Sequence, residues 1–89
     1  MKVENMTSRN GNKIANQFII TDGRFRVFQS YDSAIAKIDL QTGSVTLDER
    51  FWDYSVTTGK YRNLFLGETK AETQKKIDSG VYKLVDLNG

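Results

Sequence analysis

Hydrophobic positions along this chain follow two rhythms. Between residues 14 and 48 apolar side chains recur mostly at every second position, the period of a half-buried strand. From residue 57 onward they recur at three and four, the period of a helix. The first half thus reads as strands and the second as helices.

IANQFIITDGRFRVFQ, residues 14–29, reads as a β-hairpin with Asp22-Gly23 as a two-residue type I′ turn. That turn sets Thr21 opposite Arg24, Ile20 opposite Phe25 and Phe18 opposite Val27. Phe18, Ile20, Phe25 and Val27 then share one face, while Gln17, Ile19, Arg24, Arg26 and Phe28 share the other. A second hairpin over 35–48 breaks at Gln41-Thr42-Gly43-Ser44. A loop of two or four residues there sets Leu40 opposite Val45 and Ile38 opposite Leu47, apolar on apolar. A three-residue loop would set Ile38 opposite Thr46. SYDSAIAKI, just before, reads as strand or as a helical turn capped by Asp32, with strand preferred.

Thr57 is the expected cap of a helix reaching Leu66, with Val56 and Tyr61 spaced as a hydrophobic staple and Gly67 in the C′ place. Tyr61, Leu64 and Phe65 form the face that should dock on the sheet. Gly59 in its first turn costs about 0.5–1 kcal/mol relative to Ala. Thr69 and Glu72 form a capping box for a second helix ending before Gly80, a surface helix with little more than Ala71 and Ile77 to bury. VYKLVDL then reads as a last strand or an extended segment. The predicted architecture is α+β: a small antiparallel sheet of two hairpins, about four strands, with two short C-terminal helices on one face. Residues 1–12 read as a flexible terminus and 13–89 as one domain.

Composition narrows the chemistry. The chain has no Cys and no His, which removes thiol nucleophiles, disulfides, zinc–thiolate sites and the commonest general base. Its aspartates and glutamates show no spacing tied to metal ligation or paired acid–base work, Ser30 and Ser33 near Lys37 have nothing to activate them, and the glycines form no phosphate loop. No catalytic residue, cofactor or metal is expected. No apolar run approaches the ~18 residues of a membrane span or resembles a signal peptide, so a cytoplasmic location is expected. Net charge is +2, made of +3 over residues 1–30, −3 over 31–58 and +2 over 59–89. That balance does not by itself call for a polyanion.

Three constellations offer binding. Phe51-Trp52-Asp53-Tyr54, flanked by Arg50 and Lys60, has the composition of an interface hot spot, and equally that of a small core closed by aromatics. Arg24, Arg26 and Phe28 on one sheet face, with Lys60, Arg62, Lys70 and Lys75 on the helices, could hold phosphates and stack a base. The helical pair has the turn length of a helix-turn-helix, its second helix offering Lys70, Thr73, Gln74 and Lys75 to a groove. Glu72, Asp78 and the missing third helix favour plain packing.

The strings N16-Q17-F18-I19-I20, F28-Q29-S30-Y31-D32-S33, W52-D53-Y54-S55 with T57-T58-G59-K60-Y61, F65-L66-G67 and I77-D78-S79-G80 resemble a group of small proteins of bacteriophages and other mobile elements. The resemblance spans about residues 13–88 and implies a genomic setting, with no assigned mechanism or site. Such accessory proteins often bind a host protein or nucleic acid. The expectation is a non-catalytic protein-interaction module, its partner a host or phage protein such as a defence factor, bound through Trp52, Tyr54, Arg50 and Lys60. The alternative is nucleic-acid binding through the basic and aromatic set.

Overall fold

In the computed structural model, which describes residues 1–89, the chain runs β1 (Lys2–Thr7), β2 (Lys13–Asp22), β3 (Phe25–Ser30), β4 (Ser33–Asp39), β5 (Val45–Asp48), α1 (Val56–Leu66), α2 (Lys70–Asp78) and β6 (Lys83–Val85). The strands lie in the sheet in that same order. The first five pair antiparallel, each with the next. β6 pairs parallel with β5, and the two helices supply the crossover that a parallel pair requires. The class is α+β, but a mixed sheet of six strands replaces the antiparallel four.

One added strand lies where a flexible terminus was expected. Residues 2–7 are edge strand β1, with Val3 opposite Ile20 and Asn5 opposite Phe18. Only Met6 of this strand is buried, so its sequence carries no alternating signal. The chain's closing segment supplies the other, β6, all three of its residues exposed.

Both hairpins are closed one residue from where the sequence placed them. Asp22 pairs with Phe25 and Ile20 with Val27, so the turn is Gly23-Arg24, and Gly23 is not left-handed as a type I′ turn would require. Arg24 is drawn out of the ladder: its carbonyl accepts from the Leu40 N–H, and its guanidinium grips Asp39 at 2.8 Å. Likewise Ile38 pairs with Val45 and Ala36 with Leu47, leaving Leu40 exposed in the loop. Asp39 opens that loop early by accepting from the Gln41 N–H at 2.9 Å, and Gly43 turns it with a φ of 77°. Each correction moves one residue on both strands. Side-chain parity is therefore unchanged, and Phe18, Ile20, Phe25 and Val27 do share a face.

That face is not the one the helices cover. α1 docks on the face of Ile19 and Phe28: Phe28 lies 5.8 Å from Phe65, and the Ser30 and Thr58 hydroxyls hydrogen-bond at 3.0 Å. The core joins Met6, Phe28, Ile35, Ala36, Val45 and Leu47 of the sheet to Phe65 and Tyr82. A bulge opposite Phe28 and Gln29 lets the successive residues Ile35 and Ala36 both enter it. This also settles residues 33–39 as strand. Each large apolar side chain fully buried here contributes about 1.5–3 kcal/mol.

The helices keep their predicted C-terminal and second-helix signals. Gly67 is left-handed at φ 70° and donates to the Asn63 carbonyl, and the Thr69–Glu72 capping box forms. The start of α1 differs. Ser55, not Thr57, caps it by accepting from the Thr58 N–H at 3.1 Å. Thr58 is thereby freed to bond Ser30 inside, while Val56 projects into solvent and makes no staple. The inward stripe is Thr58, Arg62 and Phe65 with Tyr61 beside it; Leu64, expected to dock, lies on the outer side.

Candidate functional site

The aromatic run 51–54 is held in place by a carboxylate with no motif to mark it in the sequence. Asp48, wholly buried at the end of β5, accepts from the backbone N–H groups of Arg50, Phe51 and Leu87 and from the Asn88 amide, at 2.9–3.0 Å. Burial pushes its carboxyl up, but these four donors outweigh that and hold it below the ordinary range. The turn that follows puts Phe51 edge-on to Tyr54 at 5.8 Å and lays Trp52, half-buried, against the core.

Arg62 then locks this segment to α1. Only 1% of Arg62 is exposed. Its Nη1 donates to the Trp52 carbonyl at 2.6 Å and to Asp53 at 3.2 Å, its Nη2 donates to Asn63 at 3.1 Å, and the guanidinium lies 5.1 Å from the Trp52 ring. Asp53 spends its other oxygen on Lys70 of α2 at 2.7 Å. Partial burial raises the Asp53 carboxyl, and the bonds from Lys70 and Arg62 more than reverse it. Gly59 passes close to this cluster: a methyl there would sit 3.6 Å from Nη2 of Arg62 and 3.8 Å from Asp53. A buried cation stacked and hydrogen-bonded in this way is a structural clamp. A signal for it existed, since Arg62 falls at i+4 from Thr58 and three before Phe65, on the inward stripe, with an acid in the preceding turn. A second clamp, Glu68, accepts from Thr73, Lys76 and Tyr82 and ties the interhelical turn to α2 and to the residue just before β6.

The two expected sets of binding residues now separate. Tyr54, Arg50 and Lys60 are exposed on the 50–60 segment, with Arg50 3.4 Å from Asp86 and Lys60 5.4 Å from the Tyr61 ring. Trp52 stands beneath them as support. The nucleic-acid set is not assembled. Phe28 is in the core with no ring edge to offer a base, and Arg62 is buried. Arg24 is neutralised by Asp39, Arg26 lies over Phe65, and Lys70 is paired with Asp53. Lys75 remains exposed on α2. Thr73, offered to a groove in the helix-turn-helix reading, is buried and bonded to Glu68, and Gln74 is held by Asp78.

The outer side of α1 is open to solvent. Val56, Lys60 and Leu64, at i, i+4 and i+8, form one stripe, with Val56 92% and Leu64 61% exposed and Tyr54 beside them 63% exposed. The stripe lines a shallow cleft of about 690 Å³ ending at Asp53 and Lys70. No three acidic residues converge as metal ligands would, and no helix is long and apolar enough to cross a membrane.

Fold and surface together define a small α+β protein with an apolar, basic-edged helix face. Residues 1–80 match a family of unknown function, DUF8033, and the chain belongs to it. No curated protein and no solved structure matches the chain.

Proposed function

We propose that this protein is a non-catalytic interaction module that docks a protein partner on the outer side of α1 and the adjoining 50–55 segment. The stripe of Val56, Lys60 and Leu64 with Tyr54 carries this reading. Large apolar side chains left in solvent on one helix stripe, two turns apart and fringed by charge, suit a protein interface. Tyr54 would serve as an anchor, and Lys60 and Arg50 would sit at the rim. Trp52 acts through Arg62, by fixing the segment that presents Tyr54. The likeness to small phage and mobile-element proteins makes a protein of a bacterial host, such as a defence factor, the natural partner. Nucleic-acid binding is the weaker reading, because Phe28 and Arg62 are buried and Arg24 and Lys70 are already paired.

Capture from bacterial lysate tests this, using wild type and the exposed-site variants Val56→Glu and Leu64→Glu, each first shown to melt like wild type. A partner retained by wild type and lost by both variants is expected. Capture that survives both changes, or no capture at all, overturns the reading.

A further inference from the structure

The cleft along α1 does not stop at Leu64. Lys60 and Leu64 also line a second cleft of about 510 Å³, bounded across the helix by Arg9 and Ile14 of the β1–β2 hairpin and by Tyr61. The two hollows share Lys60 and Leu64, which stand between them, and together they make one grooved surface on the outer side of α1. Its exposed cations are Arg9, Lys60 and Lys70, above the buried Arg62, and its anion is Asp53, whose two oxygens are already taken by Arg62 and Lys70. Arg9 and Lys60 make no ion pair. The aliphatic lining is Val56 and Leu64 in the first hollow and Ile14 and Leu64 in the second.

We infer that the groove receives an acidic segment of a partner protein, one that sets two or more aliphatic or aromatic side chains on Val56, Leu64 and Ile14 and carboxylates against Lys60 and Arg9. This rests on the proposed reading of α1 as a protein-docking surface and adds the partner's chemistry. Like charge in the partner would be repelled from an unneutralised basic rim, whereas carboxylates are steered in. Nucleic acid satisfies the charge but not the aliphatic lining. Bases stack on exposed aromatic faces, and the aromatic that lines the two hollows, Tyr61, packs against the core with Lys60 over its ring. Val56 and Leu64 match aliphatic side chains.

Selection of displayed random twelve-residue peptides against the 89-residue chain tests this, with a dT15 oligonucleotide as the competing polyanion. The enriched peptides are expected to be net negative with at least two large apolar residues, to weaken tenfold or more with Lys60→Glu and with Leu64→Glu, and to bind more tightly than dT15. Peptides that lose binding with Leu64→Glu but are neutral or basic overturn the acidic inference and leave the docking reading standing. Enriched peptides indifferent to Leu64→Glu, or no enrichment, overturn both. Tighter binding of dT15 than of any peptide overturns the inference in favour of nucleic acid.

Discussion

The two faces of the sheet hold their apolar side chains in different settings. The uncovered face carries Phe18, Ile20, Phe25 and Val27, with Asp22, Gln29 and Lys37 among them. The covered face carries Ile19, Phe28, Ala36, Ile38, Val45 and Leu47, with Gln17, Ser30 and Arg26 among them, and none of the first set belongs to the core or packs on it. Judged on β2 and β3 alone, hydrophobic content would point the helices to the wrong side, and β4 and β5 reverse that. Specific contacts then seat α1: Phe65 meets Phe28, Thr58 meets Ser30, and Arg26 lies 5.5 Å over the Phe65 ring. The uncovered set is kept half-buried by its own neighbours, with Lys37 4.1 Å from the Phe25 ring and Arg24 5.5 Å from it. Antiparallel sheets tolerate one such face in water.

The largest expected effect tests which face is the core. Phe28→Ala should destabilise by about 3–5 kcal/mol, as aromatic truncation in a packed core does. Ile20→Ala on the opposite face should cost clearly less, because the surroundings there already admit water. Denaturant midpoints of the two variants compare them directly. Equal losses would mean that the uncovered face is covered by something in solution, and a larger loss at Ile20 would reverse the assignment of faces.

Acid should loosen both the helical layer and the Arg24–Asp39 corner of the sheet. Asp48, Asp53 and Glu68, whose bonds fasten the helical layer, all sit below their ordinary values of 3.8 and 4.5, as does Asp39, held down to about 2 by the Arg24 guanidinium. A depressed folded-state value means that the unfolded chain takes up protons first as pH falls. The stabilisation is complete above about pH 5, begins to fade near 4.5 and continues to fall towards about 2. The melting temperature should follow that course, and Asp48→Asn should lower the neutral-pH melting temperature while flattening its acid dependence. A melting temperature that rises on acidification would contradict the carboxylate geometry.

Much of this was legible in the chain and some was not, for identifiable reasons. Alternation sorted residues 17–28 onto two faces correctly except for Arg24, which the turn brings to the Phe25 side, because parity survives a slip of one residue on both strands. Within those residues it could not choose the buried face, since that choice rests on Ala36, Ile38, Val45 and Leu47 of the next two strands and on Phe65 and Thr58, distant in sequence. Turn position was misread because Asp22-Gly23 has the stronger local signal, yet Arg24 is pulled into the turn by Asp39, fifteen residues away. Leu64 was assigned inward because helical spacing fits it as well as Arg62. Only the tertiary partners Trp52 and Asp53 make the charged residue the buried one. That exchange is also what leaves Leu64 on the surface as part of the candidate docking stripe.

The covered face also contains an apparent defect. Gln17 is wholly buried, and neither its amide nitrogen nor its amide oxygen has a hydrogen-bond partner. A buried polar group left unpaired costs about 1–3 kcal/mol, so Gln17→Leu, close in volume, should raise stability by about 1–2 kcal/mol. Urea denaturation gives the answer, and a loss of stability would show that the amide is satisfied in solution.

The smallest effect belongs to the uncovered face at its edge. Val3 stands opposite Ile20 on β1 and is mostly exposed, so Val3→Thr keeps the β-branched shape while removing little apolar burial. The expected change is within about 0.5 kcal/mol, the scale of surface substitutions away from special features. The measurement matters because β1 has one open edge and borders the apolar set. If Val3→Thr cost as much as Ile20→Ala, this edge would be part of a closed hydrophobic layer, and the contrast between the two faces would no longer describe the protein in solution.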